Sequence, residues 1–317
     1  MGRRRRRIAM HCRKKQHLRS EAVPATLASN VHSRSHEKGP AFAMIIRIGY
    51  DIQFDVPAQV PIVTLLNVHP SREGDLVEPD VVRTEPEISV ETFADSFGNK
   101  SARVLATPGK IRFHNSTLIR DSGLLDEQGF DAQEIPVQDL PHAVLPYLMS
   151  SRYCEVDLLL NTATELFAVT PRGWERVRAI CTWVHNNVTF GYKFASPTRT
   201  ALGVYTERVG VCRDFQHLAI TFCRALNIPA RYATGYLGDI GVPPDGCPMD
   251  FSAWFEVFLG GRWWTLDARH NKPRIGRILI ATGRDATDCA ITTSFGQTTL
   301  AKFVVLTDEV KTDAANS

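Results

Sequence analysis

TALGVYTERVGVCRDFQHLA, residues 200–219, is the stretch on which the reading of this chain turns. Cys212 follows Gly210 and Val211 and opens a segment in which Phe215, Leu218, Ala219, Phe222 and Leu226 recur at helical spacing. Pro229 ends that helix, and a strand begins near Tyr232. A thiol at a helix N-terminus meets unsatisfied N–H groups and the positive end of the helix dipole. Both favour a thiolate and supply an oxyanion donor. Position 212 also continues the apolar stripe of 215, 219, 222 and 226, so a buried structural cysteine is the competing reading.

On the C-terminal side, residues 251–259 and 262–267 form aromatic-rich strands joined by Gly260-Gly261, the pattern of a two-residue hairpin. A tight turn pairs Leu259 with Arg262, Glu256 with Thr265 and Trp254 with Asp267. Ser252, Trp254 and Asp267 then share one face, with Ser252 diagonal to Asp267. Continued strand parity sends His270 to the opposite face, unless the strand ends first. His217 lies about 140° around the helix from Cys212, and no spacing argument recommends His185. A surface or satisfied role is expected for each. Asp214, near the helix start, serves the dipole. On the N-terminal side, Thr170-Pro171 introduces a helix with Trp174, Val177, Ile180, Cys181 and Val184 on one face, closed at Asn186-Asn187.

Residues 46–56 alternate strictly between apolar and polar, the mark of a half-buried strand. Residues 62–68, 102–105 and 111–119 add shorter segments of the kind, with a turn at Phe97-Gly98-Asn99. The organisation expected is a basic extension at 1–43, an antiparallel β-sandwich at 44–122, a polar linker at 123–149, a helix-on-sheet core at 150–296 and a C-terminal strand and tail at 297–317.

Hydrophobic residues make up 44% and charged residues 22% of the 317, ordinary for a globular chain. Residues 1–43 hold 11 of the 37 basic and 2 of the 34 acidic residues, so the remaining body is acidic and offers no case for binding nucleic acid. The basic head reads as a disordered extension, or as sequence upstream of a natural start at Met44, with a nucleic-acid, membrane-surface or targeting arm as the competing reading. No apolar run approaches a membrane span or a secretory signal, which makes cytoplasmic the expected location. Seven scattered cysteines (12, 154, 181, 212, 223, 247 and 289) without a Cys-x-x-Cys pair speak against disulfides and zinc. No cofactor or metal motif is present.

Residues 200–219, followed by IPARYATGYL (228–237), AWFEV (253–257) and WTLD (264–267), resemble in order the nucleophile, histidine and aspartate segments of bacterial transglutaminase-like proteins. The resemblance runs over about residues 150–296, and the alternating strands after Met44 resemble the family's β-rich N-terminal domain. It implies an α+β fold, in which a papain-like core carrying the cysteine helix on an antiparallel sheet follows a β-sandwich. It also implies a Cys-His-Asp triad that acylates a thiol from an amide. Carried over, Cys212 is the nucleophile and Asp267 the orienting carboxylate. The family's histidine position is occupied by Ser252, whose hydroxyl is no general base near neutral pH. His270 is the foremost substitute, while Trp254, Tyr153 and Asp239 are candidates for the cleft, with residues 239–246 as its loop.

Three functions follow. The first is a peptidase, amidase or transamidase acting on peptides or proteins. The second is a degenerate module that binds peptides without turnover. The third is a scaffold tethered by the basic head. The oligomeric state is not encoded in any of these features.

Overall fold

The computed structural model describes residues 44–244, 246 and 249–310. The basic head, with Cys12, lies outside the described residues, as does Cys247. In chain order the first half contains β1 (Met44–Val56), β2 (Val60–Thr64), β3 (Arg83–Glu85), β4 (Glu91–Ala94), β5 (Lys100–Ala106), β6 (Gly109–Asp121), α1 (Val156–Phe167) and α2 (Trp174–Asn187). There follow β7 (Thr189–Phe190), α3 (Ala201–Glu207), β8 (Val209–Gly210), α4 (Cys212–Ala225), β9 (Ala230–Leu237) and β10 (Ser252–Leu259). The last strands are β11 (Arg262–Leu266), β12 (Arg277–Gly283), β13 (Thr292–Ser294) and β14 (Thr299–Glu309).

Three four-stranded antiparallel sheets organise the chain. Two of them, β14-β1-β6-β3 and β13-β2-β5-β4, make the β-rich part, and β11-β10-β9-β12 makes the sheet of the core. The alternation of β1 sends Ile46, Ile48, Tyr50, Ile52, Phe54 and Val56 inward, as a period of two requires. These side chains and Ile62, Val104 and Phe113 belong to one continuous apolar core with the helices. The strands β13 and β14 arrive from the C-terminal end of the chain: β14 runs beside β1 from Ile46 opposite Glu309 to Asp55 opposite Thr299.

The polar stretch after β6 carries only two 3₁₀ helices, Val137–Asp139 and His142–Leu148, and is packed as a strap. The Ala132 carbonyl accepts the Trp174 N–H at 3.0 Å. Glu134 is buried against Arg176 at 3.1 Å. Asp126 takes both the Arg274 backbone N–H and the Arg277 side chain.

Helix α4 lies at the centre. Every residue from Asp214 to Ala225 is buried, rather than one apolar face alone. The polar face is tolerated because most of its groups are satisfied, His217 Nδ1 being an exception. Gln216 donates to the Ala253 carbonyl, Thr221 to the His217 carbonyl, and Arg224 to the carbonyls of Ala230, Met149 and Arg284. The β10–β11 hairpin adopts the expected register, Leu259 opposite Arg262 and Glu256 opposite Thr265. Gly260 and Gly261 have φ of +58° and +87°, the left-handed pair that this two-residue turn demands. No helix among the described residues is long and apolar enough to cross a membrane.

Candidate active site

Cys212 is the first residue of α4. The carboxylate of Asp214, two residues on, accepts the Val211 N–H at 2.9 Å and so closes the helix start from inside. Gly210 permits this: a Cβ there would stand 2.6 Å from that of Asp214. Cys212 is half-buried and lines a cavity of about 60 Å³ with Ser252, Asp239, Asp250, Arg269, His270 and Arg274. Burial pushes its thiol up to about 11, against the charge of Arg269 and the backbone N–H groups of Arg213 and Ala253, which favour the thiolate. At this helix terminus burial thus outweighs the groups that favour the thiolate.

His270 lines the same cavity as Cys212. Strand β11 ends at Leu266, and the chain turns over residues 268–270. Asp267 caps that turn: its Oδ1 accepts the N–H groups of Arg269 at 2.9 Å and His270 at 3.1 Å. The turn swings the His270 ring back, so that Nδ1 meets Asp267 Oδ2 at 2.8 Å. Strand parity beyond Leu266 thus does not apply, and His270 shares the face and cavity of Cys212. The signal was present in the sequence as Asp-x-x-His, the spacing by which a capping carboxylate meets the third residue of the turn it opens. With a carboxylate at Nδ1 that nitrogen carries the proton, which leaves Nε2 as the basic one.

Asp267 is fully enclosed and receives further hydrogen bonds from Gln216 Nε2 and Arg277 Nη2, both at 3.1 Å. Burial alone would raise its pKa, but the His270 hydrogen bond and the charge of Arg277 outweigh this and hold the carboxyl below its ordinary range. His185, on α2, fixes the same turn by a 2.7 Å hydrogen bond between its Nδ1 and the Arg269 carbonyl.

Ser252 borders the cavity, paired in the sheet with Gly235. Tyr153 reaches Cys212 through a second cavity, of about 500 Å³, that also contains Tyr232 and Phe303. Its hydroxyl donates to the Pro197 carbonyl at 2.7 Å, and its ring stacks on His217 at 4.9 Å. Asp239 is exposed at the mouth of the small cavity. Trp254 does not reach either one: it is buried two residues along β10, near the Arg277 guanidinium (5.1 Å), and borders a separate cleft beside Asp126. His217 points away from the site, as helix geometry requires, and is buried. Its Nε2 accepts the Ala286 N–H at 3.1 Å, and burial lowers its pKa to about 3, so it is neutral. Arg269, Arg274 and Asp250 were not singled out by the sequence, because turn and loop residues without a motif carry no positional signal.

A family model described as the transglutaminase-like superfamily matches residues 161–268, a span that contains Cys212, Ser252 and Asp267 and stops just short of His270. A crystal structure from Cytophaga hutchinsonii, described as a "putative cysteine protease", is similar at 31% identity and a TM-score of 0.73, covering 86% of this chain and 92% of that one. An uncharacterized protein of Mycobacterium leprae is 34% identical over 149 residues, 45% of this chain; the match spans about half (52%) of that relative's length. The periplasmic domain of TgpA from Pseudomonas aeruginosa shares 15% identity at a TM-score of 0.36, over 71% of this chain and 90% of that one, which is too low to carry an argument.

Proposed function

The chain belongs to the transglutaminase-like superfamily, and we propose that it is a thiol acyl-transfer enzyme acting on amide bonds of peptides or proteins, with Cys212 as nucleophile and His270 as its base. The supporting observation is the hydrogen bond from His270 to the buried Asp267, made by a ring that lines the same small cavity as Cys212. In this reading Nε2 of His270 takes the Cys212 proton, and the thiolate attacks the amide carbonyl. The N–H groups at the start of α4 stabilise the oxyanion. His270 then protonates the departing amine. Asp267 fixes the ring and stabilises the imidazolium, as the third member of a triad does. Ser252 lines the wall without a proton-transfer role. The "putative cysteine protease" description of the Cytophaga hutchinsonii protein accords with this chemistry.

The test is acyl-enzyme formation from an activated acyl donor such as a p-nitrophenyl ester, read by mass spectrometry of the intact protein and its peptides. An acyl group on Cys212, formed much more slowly when His270 is replaced by Ala, is expected. Failure to acylate, or acylation at the same rate without His270, favours the second reading, a binding module whose cleft is kept without turnover. That reading draws on the raised Cys212 thiol and on Ser252 at the family's histidine position.

A further inference from the structure

Cys212 borders two cavities whose walls differ in kind. The larger, of about 500 Å³, is lined by Tyr153, Tyr232, Phe251, Ile291 and Phe303 and suits an acyl portion with apolar side chains. The smaller, of about 60 Å³, holds His270 and two arginines that no step of the chemistry uses. Arg274 is only 5% exposed, its Nε has no hydrogen-bond partner, and its Nη2 is spent on the Gly238 carbonyl at 2.9 Å. Arg269 packs its guanidinium on the Phe190 ring at 3.7 Å and forms no hydrogen bond or ion pair through it among the described residues. A buried guanidinium N–H without an acceptor is costly unless a ligand supplies one.

We propose that this small cavity is a carboxylate subsite, so that the preferred substrate is an amide whose leaving amine is a short residue with a free carboxylate, the C-terminal residue of a peptide. The inference rests on Cys212 being the nucleophile. Arg269 receives the carboxylate with guanidinium donors that are otherwise unused, and Arg274 adds its charge on the same wall, the arrangement suited to charge-assisted recognition. The acidic residues on the same wall oppose this weakly. Asp239 is exposed, and burial pushes the Asp250 carboxyl toward its neutral form against the Phe251 N–H and Arg269. In the reaction the Cys212 sulfur bonds to the carbonyl carbon, and the carbon–nitrogen bond breaks. The proton on His270 Nε2 passes to the departing amine, and the amino acid leaves. Water then cleaves the thioester, restoring the thiol and releasing the shortened peptide as an acid. The size of the cavity restricts the departing residue to the smallest side chains.

Two alkylating agents of nearly equal shape test the subsite without a known substrate. Iodoacetate carries a carboxylate where iodoacetamide carries a neutral amide, and modification of Cys212 by each is followed by mass spectrometry. The ratio of the two rates at Cys212 is expected to exceed that of the same cysteine in urea-unfolded protein by about tenfold, the worth of one charge-assisted contact. Arg269→Gln is expected to bring the ratio back. Any effect of that substitution on thiolate population acts on both reagents alike and cancels. A ratio equal to that of the unfolded chain overturns the subsite while leaving the nucleophile intact, because reactivity toward iodoacetamide is measured separately. A second measurement uses the unaltered protein. N-acetylglycine is expected to protect Cys212 from iodoacetamide, and N-acetylglycinamide is not. Equal protection by both, or better protection by the cation glycinamide, overturns the proposal, the latter in favour of an ammonium subsite at Asp239 and Asp250.

Discussion

The two ends of α4 carry cysteines on one face of the helix. Cys212 and Cys223 are eleven residues apart, which places them within about 20° on one face of the helix. Both thiols are pushed up by burial. At the C-terminal end Cys223 is sealed, and its neighbour Arg224 is spent on backbone carbonyls that hold the fold together. At the N-terminal end Cys212 opens on two cavities, faces the backbone N–H groups of Arg213 and Ala253, and has His270 across the smaller cavity. Helical position and burial alone therefore do not make a nucleophile. The difference lies in what the fold sets opposite the sulfur.

The largest expected effect comes from exchanging the two thiols in turn. Cys212→Ala is expected to abolish acyl-enzyme formation, whereas Cys223→Ala retains it and loses about 1–2 kcal/mol of stability to the cavity it leaves, as urea unfolding would register. Next, His270→Ala is expected to slow acylation by about 10²–10⁴-fold, the usual worth of general acid–base help, and to lower the melting temperature as well, because the buried Asp267 carboxylate loses a hydrogen bond. A fall of less than about threefold would return the base to some other group.

Asp267→Asn separates chemistry from architecture. It removes the charge that orients His270 and leaves Arg277 without one of its two carboxylates. Both activity and stability are expected to fall, the latter by about 3–5 kcal/mol, as when a buried pair is broken. Because the Asp267 pKa lies below its unfolded value, its stabilisation is present above the ordinary carboxylate pKa. It is lost only as pH falls through the folded value. The stability gap between wild type and variant, measured by denaturant melts, is thus expected to persist at neutral pH and to narrow well below about pH 4. The smallest effect belongs to Ser252→Ala, expected to leave acylation within about threefold of wild type. A larger loss would show that position 252 still takes part.

The same contrast between local and distant information marks what the sequence could yield. The period of two in β1, the helix that opens at Cys212 and the Gly-Gly hairpin are local patterns, and the hairpin register follows from them. The pairing of β14 with β1 joins segments some 250 residues apart, and no periodicity announces it. Helix α1 has Asn161, Thr162 and Thr164 in its middle, weak helix formers stabilised by packing against α4. His270 was misdirected by parity because the strand ends at Leu266 and Asp267 turns the chain. Trp254 shares a face with Ser252, yet the 6–7 Å of strand between them and the Arg277 guanidinium keep it from the cleft.

The pH dependence of Cys212 alkylation by iodoacetamide, compared between wild type and His270→Ala, tests the central claim most directly. With His270 as base, wild-type Cys212 is expected to react readily near neutral pH. In the variant the rate is expected to rise only at higher pH, as for a thiol that burial has pushed up and no base assists. Superimposable profiles, both rising late, would contradict the account and leave Cys212 as inert as Cys223.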